Sequence, residues 1–190
     1  MRKASVGDIK EPQPGDTIAL FSGSYDPAHL DYARAMDILV KRPGISAIWV
    51  CPLHPRIPES DAEKRVRDMA TIFCADRAGA GNPCPTCCTV ALDKKMASEA
   101  WLLEWARTSY PFLRFVLATM NPNPDCDQPI IIKFAMQDPS TRPGTSVLFV
   151  NQFFPVGHGM KDRIRSGSDE SRNFTPGVWS YIQENKMYRS

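Results

Sequence analysis

The chain has 190 residues, 43% hydrophobic and 23% charged, enough for one domain with a real core. Its 23 basic and 21 acidic side chains leave a formal charge of +2. That balance supplies no global field to recruit nucleic acid, and no apolar run approaches the ~20 residues a bilayer span needs.

Residues 1–15 carry charge with no apolar segment behind it, so they are read as a flexible leader ending at Pro12-Gln13-Pro14-Gly15, not as a secretory signal. The domain is then residues 16–190, and cytoplasm is the expected compartment. Oligomerisation is left open. The basic runs Lys64-Arg65-Val66-Arg67 and Lys161-Asp162-Arg163-Ile164-Arg165 have acids beside them and are read as solvated helix faces.

In chain order, short apolar runs predict strands over residues 17–21, 47–51, 89–92, 115–118 and 147–150, with 130–132 too short to assign. Amphipathic stretches predict helices over 32–40, 61–75, 98–109 and 176–184. In the second helix Val66, Met69, Ala70 and Phe73 form the apolar face and Glu63, Arg67 and Asp68 the polar one; in the third, Trp101, Leu102, Trp105 and Ala106 follow the same spacing. Proline-rich stretches at 52–58, 121–129 and 137–144 read as loops. Strands alternating with helices imply an α/β domain with a mostly parallel sheet flanked by helices. Of the six cysteines, Cys84 and Cys87 have the gap of a zinc half-site, but the second pair is missing. Cys74 or Cys88 would complete a set only by folding, and reduced thiols in a loop are the simpler reading. No metal-binding residue is assigned.

The strand ending in Ile18-Ala19-Leu20-Phe21 runs into a glycine turn, Ser22-Gly23-Ser24, and then a helix. Ligands of open α/β sheets lie beyond the carboxyl ends of strands, and backbone N–H groups and the helix dipole favour phosphate there. The block Ser22-Gly23-Ser24-Tyr25-Asp26-Pro27-Ala28-His29 resembles the GGSFDPxH opening of the nucleotidyltransferase superfamily that carries the HxGH signature. Within it the chain is most similar to the nicotinamide or nicotinate mononucleotide adenylyltransferases. Ile48-Trp49-Val50-Cys51-Pro52-Leu53-His54-Pro55-Arg56 resembles the family's second strand and the basic segment after it. Lys64-Arg65 through Met69-Ala70 resembles the next helix, and Pro176, Val178, Tyr181-Ile182, Asn185 and Tyr188 resemble the terminal one. The likeness runs from Thr17 to the C-terminus with a gap in the middle.

The resemblance implies a single-domain, Rossmann-like nucleotidyltransferase fold, with ATP and Mg²⁺ as co-reactants and a nucleotide such as ATP, nicotinamide mononucleotide (NMN) or an NAD-like molecule as partner. It implies transfer of an adenylyl group with release of pyrophosphate, in which positioning and charge neutralisation do the work. His29 takes the place of the first histidine of HxGH and would donate to a phosphate. Tyr32 takes that of the second, as a neutral donor that brings no positive charge. Ser22, Gly23, Ser24 and Tyr25 would cradle phosphate, and Asp26 would fix the loop. Asp31 stands where the family has glycine. A carboxylate about 4 Å from a phosphate costs roughly 4 kcal/mol at an effective dielectric near 20. Asp31 is therefore expected to turn away and cap the helix starting at Tyr32, or else to bind Mg²⁺.

The family's ISSTxIR segment aligns with residues 155–161 but has lost its hydroxyls. Lys161 replaces the arginine, keeping charge without the planar fork. Gly157 and His158 either present donors to phosphate or belong to a plain glycine hinge. Arg56, Lys64 and Arg65 are further cations that bind phosphate or simply face solvent. The strand ending at Thr119-Met120-Asn121 lacks the acid with which the family grips its nucleotide. Two expectations follow: an adenylyltransferase of weak or altered activity, or an inactive relative that binds a nucleotide or a protein partner.

Overall fold

The computed structural model describes residues 12–53, 60–79, 87–89, 98–121, 124–134, 145–150 and 155–189, with backbone alone for 60–63 and 87–89. Its strands are β1 (Thr17–Gly23), β2 (Ala47–Pro52), β3 (Cys87–Thr89), β4 (Arg114–Thr119), β5 (Ile130–Phe134) and β6 (Ser146–Val150). They form one sheet in the order β3-β2-β1-β4-β5-β6, and every pairing is parallel. The helices are α1 (Leu30–Val40), α2 (Ser60–Gly79), α3 (Glu99–Ser109), α4 (Met160–Arg165) and α5 (Pro176–Glu184).

The central strand β1 is covered on both faces, which is why its sequence is an unbroken apolar run. Ala19 and Phe21 point into a core shared with α1, α2 and α5, while Ile18 and Leu20 point into one shared with α3. On α1 the buried positions Tyr32, Ala35, Met36 and Leu39 recur at helical spacing. On α2, Val66, Met69, Ala70 and Phe73 are all buried as expected. On α3 the spacing resolves differently: Leu102, Leu103 and Ala106 are buried, and Trp101 and Trp105 are half-buried at the margins. Asp68, placed on the polar face of α2, accepts a hydrogen bond from Tyr181 Oη of α5 at 3.0 Å.

The undecided segment 130–132 is a full strand, because β6 pairs with it from Ile130↔Ser146 to Phe134↔Val150. β3 begins two residues before the expected 89, aligned by Ile48↔Cys87 on β2, and residues 90–92 lie outside the described residues. The short helix α4 was not among the predicted helices, although its basic run 161–165 was read as a solvated helix face. Cys84 is likewise outside the described residues, while Cys51 and Cys74 are buried and Cys126 is half-buried. No described helix is long and apolar enough to cross a membrane.

This strand order has one consequence for function. Connections run outward from β1 through β2 to β3 and from β4 through β5 to β6, so the winding reverses between β1 and β4. The loops leaving those two strands must diverge, and a crevice opens where they part.

Candidate functional site

The crevice is present as a cleft of about 400 Å³ at the carboxyl ends of β1 and β4. Ser22, Gly23 and Ser24 form one wall, Thr119, Met120 and Asn121 another, and Tyr32, Leu53 and Glu99 complete it. Gly23 is needed there: a Cβ would fall 2.7 Å from Tyr32 Cε1.

The loop from β1 to α1 is held by aromatic packing. Tyr25 has a left-handed backbone (φ 49°) and a fully buried ring, stacked on Tyr32 with centroids 4.1 Å apart. Its hydroxyl donates to the Phe21 carbonyl at 3.2 Å, so Tyr25 supports the cleft from behind. Tyr32 is 4% exposed. Its Oη accepts the Tyr25 N–H at 3.1 Å and lies 3.3 Å from Ser24 Oγ. Burial raises its pKa above the ordinary 10, so the phenol stays neutral, as its chemistry led us to expect.

His29, not Asp31, is the N-cap of α1, and its Nδ1 accepts the Asp31 N–H at 3.3 Å. Burial lowers its pKa from 6.5 to about 4, with the Asp31 charge opposing only in part. At neutral pH the ring is therefore uncharged, and its 3.4 Å approach to Asp31 Oδ2 is no ion pair. With Nδ1 accepting, the proton belongs on Nε2. The ring lies over Gly157 so closely that a Cβ there would come within 2.2 Å of Nε2.

Asp31 corrects the expectation of a cap. The cap site was already taken by His29, and the carboxylate turns inward to full burial. Oδ2 accepts the Gly157 N–H at 2.9 Å and Oδ1 pairs with Arg34 at 3.0 Å. The N–H that Gly157 was expected to offer a phosphate is thus held by an internal carboxylate. Asp26 accepts from Lys161 Nζ and from Tyr188 Oη, and Lys161 also lies 5.3 Å from the Tyr188 ring centroid. Burial and the neighbouring Asp26 charge keep the Tyr188 phenol protonated.

Two groupings of side chains beside these residues escaped the sequence reading. Arg163 holds the 155–161 segment in place: it donates to the Val156 carbonyl at 2.7 Å, to the His158 carbonyl, and to Glu170 Oε1 at 2.9 Å. Its place in a basic run gave no sign of this. Glu99, in the first turn of α3, brings a carboxylate that is 8% exposed to the cleft beside Asn121. Its only sequence signal was an acid following the capping Ser98.

Ser22, Gly23, Ser24 and Tyr32 therefore line the cleft, and Tyr25, Asp26 and His29 build the loop behind it. Gly157 and Lys161 are joined to that loop through Asp31 and Asp26, so the two sequence segments meet. The His158 side chain is exposed, as are Lys64 and Arg65, and Arg56 lies outside the described residues.

The same arrangement is found in solved structures. A Plasmodium falciparum nicotinic acid mononucleotide adenylyltransferase, complexed with NaAD, matches with TM-score 0.71 at 15% identity, over 91% of this chain and 97% of that one. Complexed with APC, it matches with TM-score 0.69 at 14% identity over the same shares. A Vibrio parahaemolyticus protein described as a nicotinate-nucleotide adenylyltransferase matches with TM-score 0.60 at 14% identity, over 92% of this chain and 96% of that one. The fold is that of the mononucleotide adenylyltransferases. No family model and no curated protein matches the chain by sequence.

Proposed function

We propose that the chain binds a nucleotide in the switch-point cleft and acts as a slow mononucleotide adenylyltransferase, with ATP and nicotinamide or nicotinate mononucleotide as substrates. An oxygen of the mononucleotide phosphate attacks the α-phosphorus of ATP, and the bond to the β-phosphate breaks to release pyrophosphate. No side chain forms a covalent bond, so the protein's part is to position the phosphates and offset their charge. The observation that carries the reading is the meeting of the β1–α1 loop with residues 157–161 beside the carboxyl ends of β1 and β4, on a fold shared with adenylyltransferases.

The same contacts account for slowness. His29 is neutral and contributes at most one N–H from Nε2. Lys161 must exchange Asp26 for a phosphate before its charge counts. Asp31 holds Gly157 N–H and Arg34, which leaves its two oxygens poorly set to ligate a metal. Mg²⁺, if bound together with the nucleotide, would supply the positive charge that these side chains do not.

The test is pyrophosphate release with ATP, Mg²⁺ and either mononucleotide. We expect turnover above the no-enzyme control, rising at least about tenfold in the double variant Asp31→Gly with Tyr32→His, which removes a like charge and adds an imidazole. A silent wild type beside an active variant would make this a binding protein whose transfer step those two residues suppress. Background pyrophosphate from both would dispose of the transferase reading.

A further inference from the structure

The cleft has a floor whose charge is opposite to what its phosphate-facing end requires. Glu99 reaches it from the first turn of α3, whose N-cap is made by Ser98 Oγ accepting the Trp101 N–H at 3.2 Å. Glu99 Oε1 accepts from Ser22 Oγ and from Thr119 Oγ1, each at 3.1 Å. Oε2 takes only Asn121 Nδ2, at 3.2 Å, among the described donors. All of these partners are neutral. No described Lys, Arg or His pairs with the carboxylate. A carboxylate offers about four acceptor positions, so Oε2 has room for one more donor. It can take an N–H or O–H, and it repels a second carboxylate.

The acid that residues 119–121 lack is therefore supplied from a different element, at the same end of the cleft. Ser24 of the glycine turn and Glu99 line the same cleft, so a ligand seated there reaches both. We infer that Glu99 is a specificity-determining residue: it accepts a hydrogen bond from a carboxamide on the bound mononucleotide and excludes the carboxylate counterpart. This rests on the proposed nucleotide site and deepens it, naming the amide over the acid. The structural neighbours named above are nicotinic acid enzymes, so the opposite preference is predicted here.

Calorimetric titration of the full chain with NMN and with nicotinic acid mononucleotide tests it, alongside Glu99→Gln. The wild type should bind NMN at least about tenfold more tightly, since two carboxylates near 4 Å at the dielectric of a partly buried site differ by more than that from a carboxylate–amide pair. Glu99→Gln retains an acceptor for Ser22 and Thr119 and should narrow the preference to about threefold or less, by tightening the acid form. Equal affinities in the wild type, or a preference for the acid, overturn the inference without any variant having to fold. A Glu99→Gln loss shared equally by both ligands also overturns it, because Glu99 would then be reading a group common to both, such as a ribose hydroxyl. ATP titrated in the same experiment separates the two failures. Binding of ATP with no discrimination between mononucleotides removes the inference alone. No binding of ATP or of either mononucleotide removes the nucleotide site with it.

Discussion

At the scale of single residues, the loop after β1 shows how a side chain can satisfy a site that would otherwise await a ligand. Asp31 accepts a backbone N–H and pairs with Arg34 inside the protein, while Asp26 does the same for Lys161. His29 is neutral because burial outweighs the attraction of Asp31. That has a measurable sign. Above pH 6.5 the ring is uncharged whether the chain is folded or not, and it adds no pH dependence. As pH falls from 6.5 toward 4 the unfolded chain binds a proton that the folded chain refuses, so stability is lost across that window. A fall from 6.5 to about 4 corresponds to roughly 3 kcal/mol. Urea unfolding of His29→Asn, which keeps a capping side chain, should therefore lose less stability between pH 7 and pH 4.5 than the wild type does. Equal losses in the two proteins would mean that the ring protonates in place.

At the scale of elements, the helices owe their ends to residues on other elements as much as to their own sequences. Thr175, the N-cap of α5, makes no side-chain cap bond, and its Oγ1 is buried with no described partner. The work is done from α2: Asp76 Oδ2 accepts the Gly177 N–H at 2.8 Å, placing negative charge at the start of α5. Asp76→Ala should cost about 1 kcal/mol in urea unfolding, within the usual range for a lost cap. A cost indistinguishable from zero would show that the bond contributes nothing and that apolar packing of Val178 and Ile182 alone seats α5. The α2–α5 contact also includes Tyr181 to Asp68, so an acid that the spacing places on the polar face of α2 is a joint in the fold.

At the scale of the whole molecule, two chain segments more than a hundred residues apart close on one another beside the reversal between β1 and β4. A ligand that binds there stabilises the folded chain by mass action. At about 100 times its Kd the gain is about 2.7 kcal/mol, which for a domain of this size corresponds to a rise in Tm of roughly 5–10 °C. ATP should produce such a shift at millimolar concentration, read by thermal denaturation. No shift with ATP, NMN or NAD would move attention from the cleft to the surface of the protein.

Sequence alone carried the architecture. The unbroken apolar run of β1, the glycine turn at Gly23 and the helical spacing on α1 and α2 are local patterns, and each survives because it is repeated over several neighbouring residues. The strand β5 was not legible, since Ile130–Phe134 becomes a strand through β6, fifteen or more residues away, and no local period marks that pairing. The site was legible only in outline. That Asp31 and Tyr32 depart from the motif can be read from the letters; that Asp31 serves Gly157 cannot, because the partner is 126 residues distant. Glu99 was invisible for the same reason: its surroundings are assembled from β1, α3 and the end of β4, and a carboxylate's role depends on which donors fold around it.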